Sequence, residues 1–272
     1  MAIHKIMLIG CGKMGGAMLE GWLADTSLDA QFTIIEPDHT HLSWASDEPR
    51  VSLYKDCDSA IANDAPASTM IVLAVKPQMM DEALAAVGQL NNTGSAFLSI
   101  AAGISTNWLK KRLGSDAVVL RAMPNTPAAI GKGITALYAD VQDASCDLAR
   151  QLLLAVGDVV LLDDEGLMDA VTAVSGSGPA YLFLLAETMS AAGVKAGLPE
   201  VLAKELAKAT VCGAGALMAA ADKPPATLRQ NVTSKGGTTA AALSVLMADD
   251  GLLQLMEKAV DAAKRRSVEL GG

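Results

Sequence analysis

The apolar positions of the first 163 residues fall into short continuous runs separated by longer helical or looped stretches. Lys5–Ile9, Phe32–Ile35, Val51–Tyr54, Thr69–Val75, Ala96–Ile100 and Val118–Arg121 each read as a strand. Gly133–Tyr138 and Asp158–Leu162 add two more, flanking a helix from about Ala144 to Val156. Strands covered on both faces show such unbroken apolar runs, so the pattern predicts a mostly parallel sheet with helices on its faces. After Asp163 the strand signal stops. Gly166–Val174, Gly178–Val194, Pro199–Ala221, Ala226–Asn231, Thr238–Met247 and Gly251–Glu269 read as helix instead. The expected fold is therefore α/β, with a mostly parallel sheet domain over residues 1–163 and an all-helical domain over residues 164–272.

The first strand runs directly into Gly10-Cys11-Gly12-Lys13-Met14-Gly15, the spacing GxGxxG, and a helical pattern follows through Trp22 and Leu23. In a strand-to-helix turn each glycine has a separate task. Gly10 makes the tight turn, Gly12 lets backbone approach a pyrophosphate, and Gly15 lets the helix pack on the strand. The second strand ends in Glu36, about 20 residues past the motif, where an acid accepts hydrogen bonds from an adenosine ribose. This context identifies residues 1–163 as a Rossmann-type dinucleotide-binding domain, with Gly10 to Gly15 and Glu36 among its cofactor residues. A carboxylate at Glu36 repels a 2′-phosphate and favours NADH over NADPH, although Lys13 nearby softens the effect. The same acid also reads as an exposed strand end.

Ligands of open α/β sheets lie at the carboxyl ends of the strands. That rule brings Ala74, Val75 and Lys76 after the fourth run, Ala101 and Ala102 after the fifth, and the loop Met123-Pro124-Asn125-Thr126-Pro127 to the cofactor crevice. Lys76 equally reads as a surface lysine ending a strand before a proline.

Composition narrows the classes. The hydrophobic share is 51% and mean hydropathy is +0.33, yet aromatics are only 3%, so the core is built of Ala, Leu, Val and Met. So much apolar surface on a chain without a membrane span points to burial between subunits. The best candidate span, Tyr181–Ala192, is interrupted by Glu187 and falls short of the roughly 18 apolar residues required. No signal-peptide pattern opens the sequence, and Cys11, Cys57, Cys146 and Cys212 lie far apart without a C-x-x-C pair. These features lead to the expectation of a cytoplasmic protein with neither a disulfide framework nor a metal site. A net charge of −9 argues against a nucleic-acid partner, and the one basic run, Lys264-Arg265-Arg266, suits the end of the last helix.

One stretch of the helical half is richer in hydroxyls and glycines than its surroundings: V-T-S-K-G-G-T-T-A-A-A, Val232–Ala242. Two readings stand for it. It can simply cap the helix that follows, or its outward N–H groups and the helix dipole can hold an anion.

Together with Ile9–Gly15 and A-V-S-G-S-G-P-A-Y-L-F (Ala173–Phe183), the extended stretch P-A-T-L-R-Q-N-V-T-S-K-G-G-T-T-A-A-A-L (Pro225–Leu243) resembles the pyrroline-5-carboxylate reductases. Ala74–Pro77 and Met123–Pro127 match as well, and the similarity spans the whole chain. The resemblance implies reduction of L-1-pyrroline-5-carboxylate to L-proline by hydride transfer from NADH or NADPH to the C=N carbon. It makes Thr239 the catalytic residue, its hydroxyl on the ring nitrogen. The substrate carboxylate falls to backbone N–H groups near Gly237 and Thr238, with Asn231 nearby and Glu165 close to the substrate. It also implies homodimers with interlocked helical domains and a shared active site, and in some members larger rings of dimers.

Such a reaction accounts for the absence of a histidine in the helical half, because His4, His39 and His41 all lie near the first two strands. An imine nitrogen is itself basic, so orientation and a hydrogen bond matter more than a strong acid. Three departures stand out. Many relatives carry a small polar residue at Glu36, Cys57 replaces an asparagine that holds the cofactor in some, and Thr238 stands where alanine is common. The first leaves the choice between NADH and NADPH open. A β-hydroxyacid dehydrogenase would place a lysine a turn after Gly176-Ser177-Gly178, yet none follows before Lys195. A dinucleotide-binding redox sensor would have no use for the hydroxyls of Ser234–Thr239.

Overall fold

The computed structural model describes residues 3–63, 65–88, 90 and 94–271. They form an eight-stranded sheet followed by helices. In chain order the strands are β1 His4–Ile9, β2 Ala30–Ile35, β3 Val51–Tyr54, β4 Met70–Leu73, β5 Ala96–Ser99, β6 Val119–Met123, β7 Gly133–Ala139 and β8 Gly157–Leu162. Their order across the sheet is β3-β2-β1-β4-β5-β6-β7-β8. All pairs are parallel except β6 with β7, which are antiparallel and joined through the short 3-10 turn Thr126–Ile130. The order reverses beside β1, and this reversal opens a crevice at the strands' carboxyl ends.

Successive side chains of a strand point to opposite faces, and β1 shows the result. Ile6 and Leu8 join one apolar core with Trp22, Phe32, Leu98, Leu120 and Leu152. Met7 and Ile9 join a second core with Ile71, Leu73, Leu84, Leu109 and Val119. Helix α1, Lys13–Ala24, buries Met18, Leu19 and Trp22 against the first face. The Trp22 ring stacks on Phe32 at 5.5 Å, and its N–H donates to the carbonyl of Leu152 at 2.8 Å, so a large indole is buried without an unmet donor. Leu152 lies on a further helix, Ala144–Leu154, covering the same face.

The described chain divides into two compact units. One runs to Gly176 and takes in the chain end from Ala263; the other is Ser177–Ala262. The division thus falls after the boundary anticipated at 163. Residues 165–176 stay with the sheet unit for identifiable reasons. The Asn125 side chain donates to the carbonyl of Ser175 at 3.1 Å and accepts from the Ile134 N–H at 3.0 Å. A Cβ on Gly176 would stand 2.8 Å from the end of Met123, so the chain passes close to β6 there. The backbone over Thr172–Gly176 is a π-helical turn, a widening often found at functional sites.

In the second unit, the helices Gly178–Lys195 and Glu200–Ala220 pack on each other. The shorter Pro225–Asn231 and Thr238–Leu246 follow, and the last helix, Leu252–Leu270, begins in this unit. No described helix is long and apolar enough to cross a membrane.

Candidate active site

Gly10 adopts φ +87°, a conformation open to glycine, and a Cβ there would meet Val75 at 2.9 Å. A Cβ on Gly15 would press to 2.4 Å from the Gly10 carbonyl oxygen, so the start of α1 rests directly on the turn. Gly12 is the N-cap of α1, and a Cβ there would meet nothing within 4 Å. The space in front of Gly12 is thus open at the positive end of a helix, a cradle that suits a pyrophosphate.

A cleft of about 360 Å³ begins at this turn. Its floor is apolar, with Ile9, Ile35, Cys57, Val75, Met79, Ala83 and Ala86; Glu36, Lys55, Asp56, Lys76 and Glu82 bring charge to its walls. A planar base above an apolar floor and a ribose at the acid fit the adenosine half of a dinucleotide. Of the sequence-derived cofactor residues, Gly10, Gly12, Glu36, Ala74, Val75 and Lys76 line this cleft. Cys11, Lys13, Met14 and Gly15 belong to the turn and the first residues of α1. Ala101 and Ala102 follow β5, with Ala101 buried in the second apolar core.

The Glu36 carboxylate is held from two sides. One oxygen accepts the Cys11 N–H at 2.7 Å, the other the Asp38 N–H at 3.2 Å. A carboxylate has about four lone-pair positions, so two remain for ribose hydroxyls. The His41 ring meets the Cys11 carbonyl at 2.8 Å, so the Cys11 backbone is fixed at both its N–H and its C=O. Burial pushes the Cys11 thiol up to about 12 and the Cys57 thiol up to about 11, with nearby carboxylates adding to both. Neither sulfur is a nucleophile at neutral pH. His41 and Lys55 escaped sequence reasoning, because nothing local marks which side chain returns to a glycine turn.

Glu165 has a more constrained place than its sequence suggests. Its carboxylate accepts the N–H of Thr106 at 2.8 Å and the Thr106 hydroxyl at 2.6 Å, at the start of helix Thr106–Leu113. It also pairs with Arg121 of β6 at 3.0 Å, a residue only 4% exposed. A buried cation needs such a partner, and Glu165 supplies it while its charge suits the positive helix end.

Within the helical unit, the hydroxyl-rich stretch forms a turn followed by a helix. Gly236 takes φ +73°, and the Gly237 N–H closes the turn on the Ser234 carbonyl at 3.1 Å. Gly237 is the N-cap of helix Thr238–Leu246 and has no side chain to cap with. First-turn N–H groups have no partner inside a helix, which leaves those of Thr238, Thr239 and Ala240 to meet an acceptor. The reading of this stretch as a simple side-chain cap therefore loses its support at Gly237. The Gly237 N–H itself is spent within the turn, so an incoming carboxylate meets the amides that follow it. Thr239 is half-buried, and Asn231 ends the helix before the turn, exposed.

A family model for pyrroline-5-carboxylate reductase dimerisation matches residues 165–270, and one described as NADP oxidoreductase, coenzyme F420-dependent, matches residues 5–103. The pyrroline-5-carboxylate reductase of Pseudomonas aeruginosa is 39% identical over 272 residues, covering 99% of this chain and 98% of its own. The chain belongs to the pyrroline-5-carboxylate reductases. Among solved structures, that of the Coxiella burnetii reductase superposes with a TM-score of 0.88 at 32% identity, covering all of both chains. The Plasmodium falciparum pyrroline carboxylate reductase, solved with NADP bound, gives 0.78 at 27% identity over 99% of this chain and 98% of its own. A pyrroline-5-carboxylate reductase is an oxidoreductase of proline biosynthesis, using a reduced nicotinamide dinucleotide on a small-molecule substrate. The α/β sheet unit and the helical, dimerisation-type unit are the two parts of that family's fold.

Proposed function

We propose that this chain reduces L-1-pyrroline-5-carboxylate to L-proline at the turn Ser234–Thr239, with the dinucleotide lying across the Gly10–Gly15 turn. The observation that carries the reading is the uncapped start of helix Thr238–Leu246, where free amides and a threonine hydroxyl stand together. The amides of Thr238 and its successors, beside Gly237, bind the substrate carboxylate, and Asn231 adds a polar contact. The Thr239 hydroxyl hydrogen-bonds the ring nitrogen and so fixes which face of the C=N bond is presented. Glu165, made rigid by Thr106 and Arg121, contributes fixed negative charge near the substrate. When bound, the nicotinamide supplies the hydride that reduces the C=N carbon. Gly10, Cys11, Gly12, Lys13, Met14 and Gly15 hold its pyrophosphate, Glu36 its adenosine ribose, and Ala74, Val75, Lys76, Ala101 and Ala102 the remainder. A carboxylate fixed at the ribose favours NADH.

The active form in this reading is a homodimer in which the turn of one subunit serves the cofactor of the other, with larger rings built from such dimers. The exposed apolar surface of the helical unit supports it: Phe183, Val201, Val245 and Leu253 are all about 70% exposed in the single chain. The enzyme works in the cytoplasm, a placement supported by four cysteines that are all free thiols.

Thr239→Val tests the site. Loss of one hydrogen bond to the reacting ring lowers kcat/KM by about 1–3 kcal/mol of transition-state stabilisation. Steady-state rates with pyrroline-5-carboxylate and each dinucleotide measure it, and unchanged kinetics would remove Thr239 from its role.

A further inference from the structure

The adenosine end of the cleft holds a cation that the ribose-binding acid does not use. β2 and β3 are parallel neighbours with Ile35 opposite Tyr54, so the residues that leave their carboxyl ends, Glu36 and Lys55, stand side by side. The Glu36 N–H donates to the Tyr54 carbonyl at 2.9 Å, which carries the pairing one residue further. Both residues line the cleft.

Their engagements differ. Glu36 is satisfied by the backbone N–H groups of Cys11 and Asp38 and needs no cation. Among the described residues Lys55 pairs only with Asp56, at 3.8 Å, and its side chain is 72% exposed. Asp56 in turn is committed to the helix that follows, where it accepts the Ser59 N–H at 2.7 Å. Lys55 is thus a weakly held ammonium next to a firmly held carboxylate.

Position separates Lys55 from the cleft's other lysine. In the order β3-β2-β1-β4, Glu36 follows β2, the glycine turn follows β1 and Lys76 comes after β4. A dinucleotide with its ribose at Glu36 and its pyrophosphate at the glycine turn extends toward β4. Lys76 therefore lies on the pyrophosphate and nicotinamide side, and Lys55 lies on the outer side of the ribose.

We propose that Lys55 is the specificity-determining residue for the adenosine 2′-position, binding the 2′-phosphate of NADPH and offsetting its repulsion by Glu36. The inference rests on the cofactor reading given above. Glu36 alone makes the cleft an NADH site, and Lys55 turns it into one that accepts both cofactors. An exposed ammonium meets a phosphate dianion as a point charge on a flexible stem, so its contribution weakens with salt.

The test uses the intact protein and fragments that carry only the adenosine end. Adenosine 2′,5′-bisphosphate and adenosine 5′-monophosphate are titrated calorimetrically into the unmodified protein, Lys55→Gln and Lys55→Arg. The ratio of bisphosphate to monophosphate affinity is expected to fall about tenfold in Lys55→Gln, the scale of one hydrogen bond to a charged group, and to persist in Lys55→Arg. The kcat/KM ratio for NADPH over NADH follows the same order, and in the unmodified protein it declines as salt rises. An unchanged affinity ratio in Lys55→Gln overturns the assignment of Lys55 alone. Failure of the unmodified protein to bind either nucleotide overturns the cofactor reading together with it.

Discussion

The sheet unit encloses Trp22, Phe32, Ile34 and Met70 with at most 1% of their surface exposed, whereas the helical unit leaves Phe183 at 69%, Val201 at 71%, Val245 at 72% and Leu253 at 70%. The first unit has two apolar cores of its own, one on each face of the sheet. In the second, the long helix Glu200–Ala220 buries only Ala203 and Ala207. Small residues such as Ala209, Gly213 and Gly215 make its surface a good bed for another helix, yet the chain itself supplies little to cover it. The sheet unit is a finished fold, and the helical unit is half of one. This agrees with the match of residues 165–270 to a dimerisation domain.

The strongest way to break that comparison is to place charge where the second unit is bare. Val201→Asp combined with Val245→Asp would bury unpaired carboxylates in a subunit interface, costing several kcal/mol, and dimers are expected to dissociate in sedimentation experiments. A double variant that sediments as the unmodified protein does would show these faces to be solvent-facing.

Within the sheet unit, Glu165 pairs with the buried Arg121 and with Thr106. Glu165→Ala strands the Arg121 guanidinium, whose Nε already lacks a partner, and is expected to cost about 3 kcal/mol of stability in calorimetric unfolding. Glu165→Gln keeps an acceptor for Thr106 and should cost less. Equal losses in the two variants would mean that the charge itself does not matter.

These two regions also differ in how far sequence pattern reveals them. Strand runs and the glycine turn are local, and Lys5–Ile9 followed by Gly10–Gly15 shows both the element and its ligand in eleven consecutive positions. The Glu165 network joins residues 59 and 44 positions apart, and no periodicity records such a meeting. The boundary shifts for the same reason: helical periodicity begins at Gly166, but Asn125 and the Ser267–Asp169 hydrogen bond of 2.6 Å keep that segment in the sheet unit. The turn at Ser234–Thr239 shows its hydroxyls in sequence. That its N-cap is a glycine, and its amides therefore free, requires the backbone.

A smaller effect sharpens the contrast at the edge of the sheet unit. Asp140 accepts hydrogen bonds from Lys110 and Tyr138, in that order of effect, and these hold its carboxyl below the usual carboxylate range. A depressed folded value stabilises above the unfolded value of about 4 and is lost as pH falls through the folded one. Because the group is mostly exposed, solvent screening keeps the effect small. Asp140→Asn is expected to flatten acid unfolding of the protein slightly below about pH 4, and an unaltered acid limb would show that the cluster contributes nothing.

The central claim, that a second copy completes both the helical unit and its active site, is tested most directly by subunit complementation. One inactive chain carries Thr239→Trp, whose indole occupies the substrate's place, with an intact glycine turn; the other carries Gly12→Glu, which fills the pyrophosphate cradle and leaves Thr239 in place. Dissociated and reassociated in equal amounts, they form hybrid dimers in which one of the two sites has both intact parts. Measured as NAD(P)H-dependent reduction of pyrroline-5-carboxylate, activity is expected to return to roughly a quarter of that of the unmodified enzyme, the share that random pairing of a two-fold dimer gives. Hybrids that form and regain no activity above the separate variants would contradict the claim and place each site within a single chain.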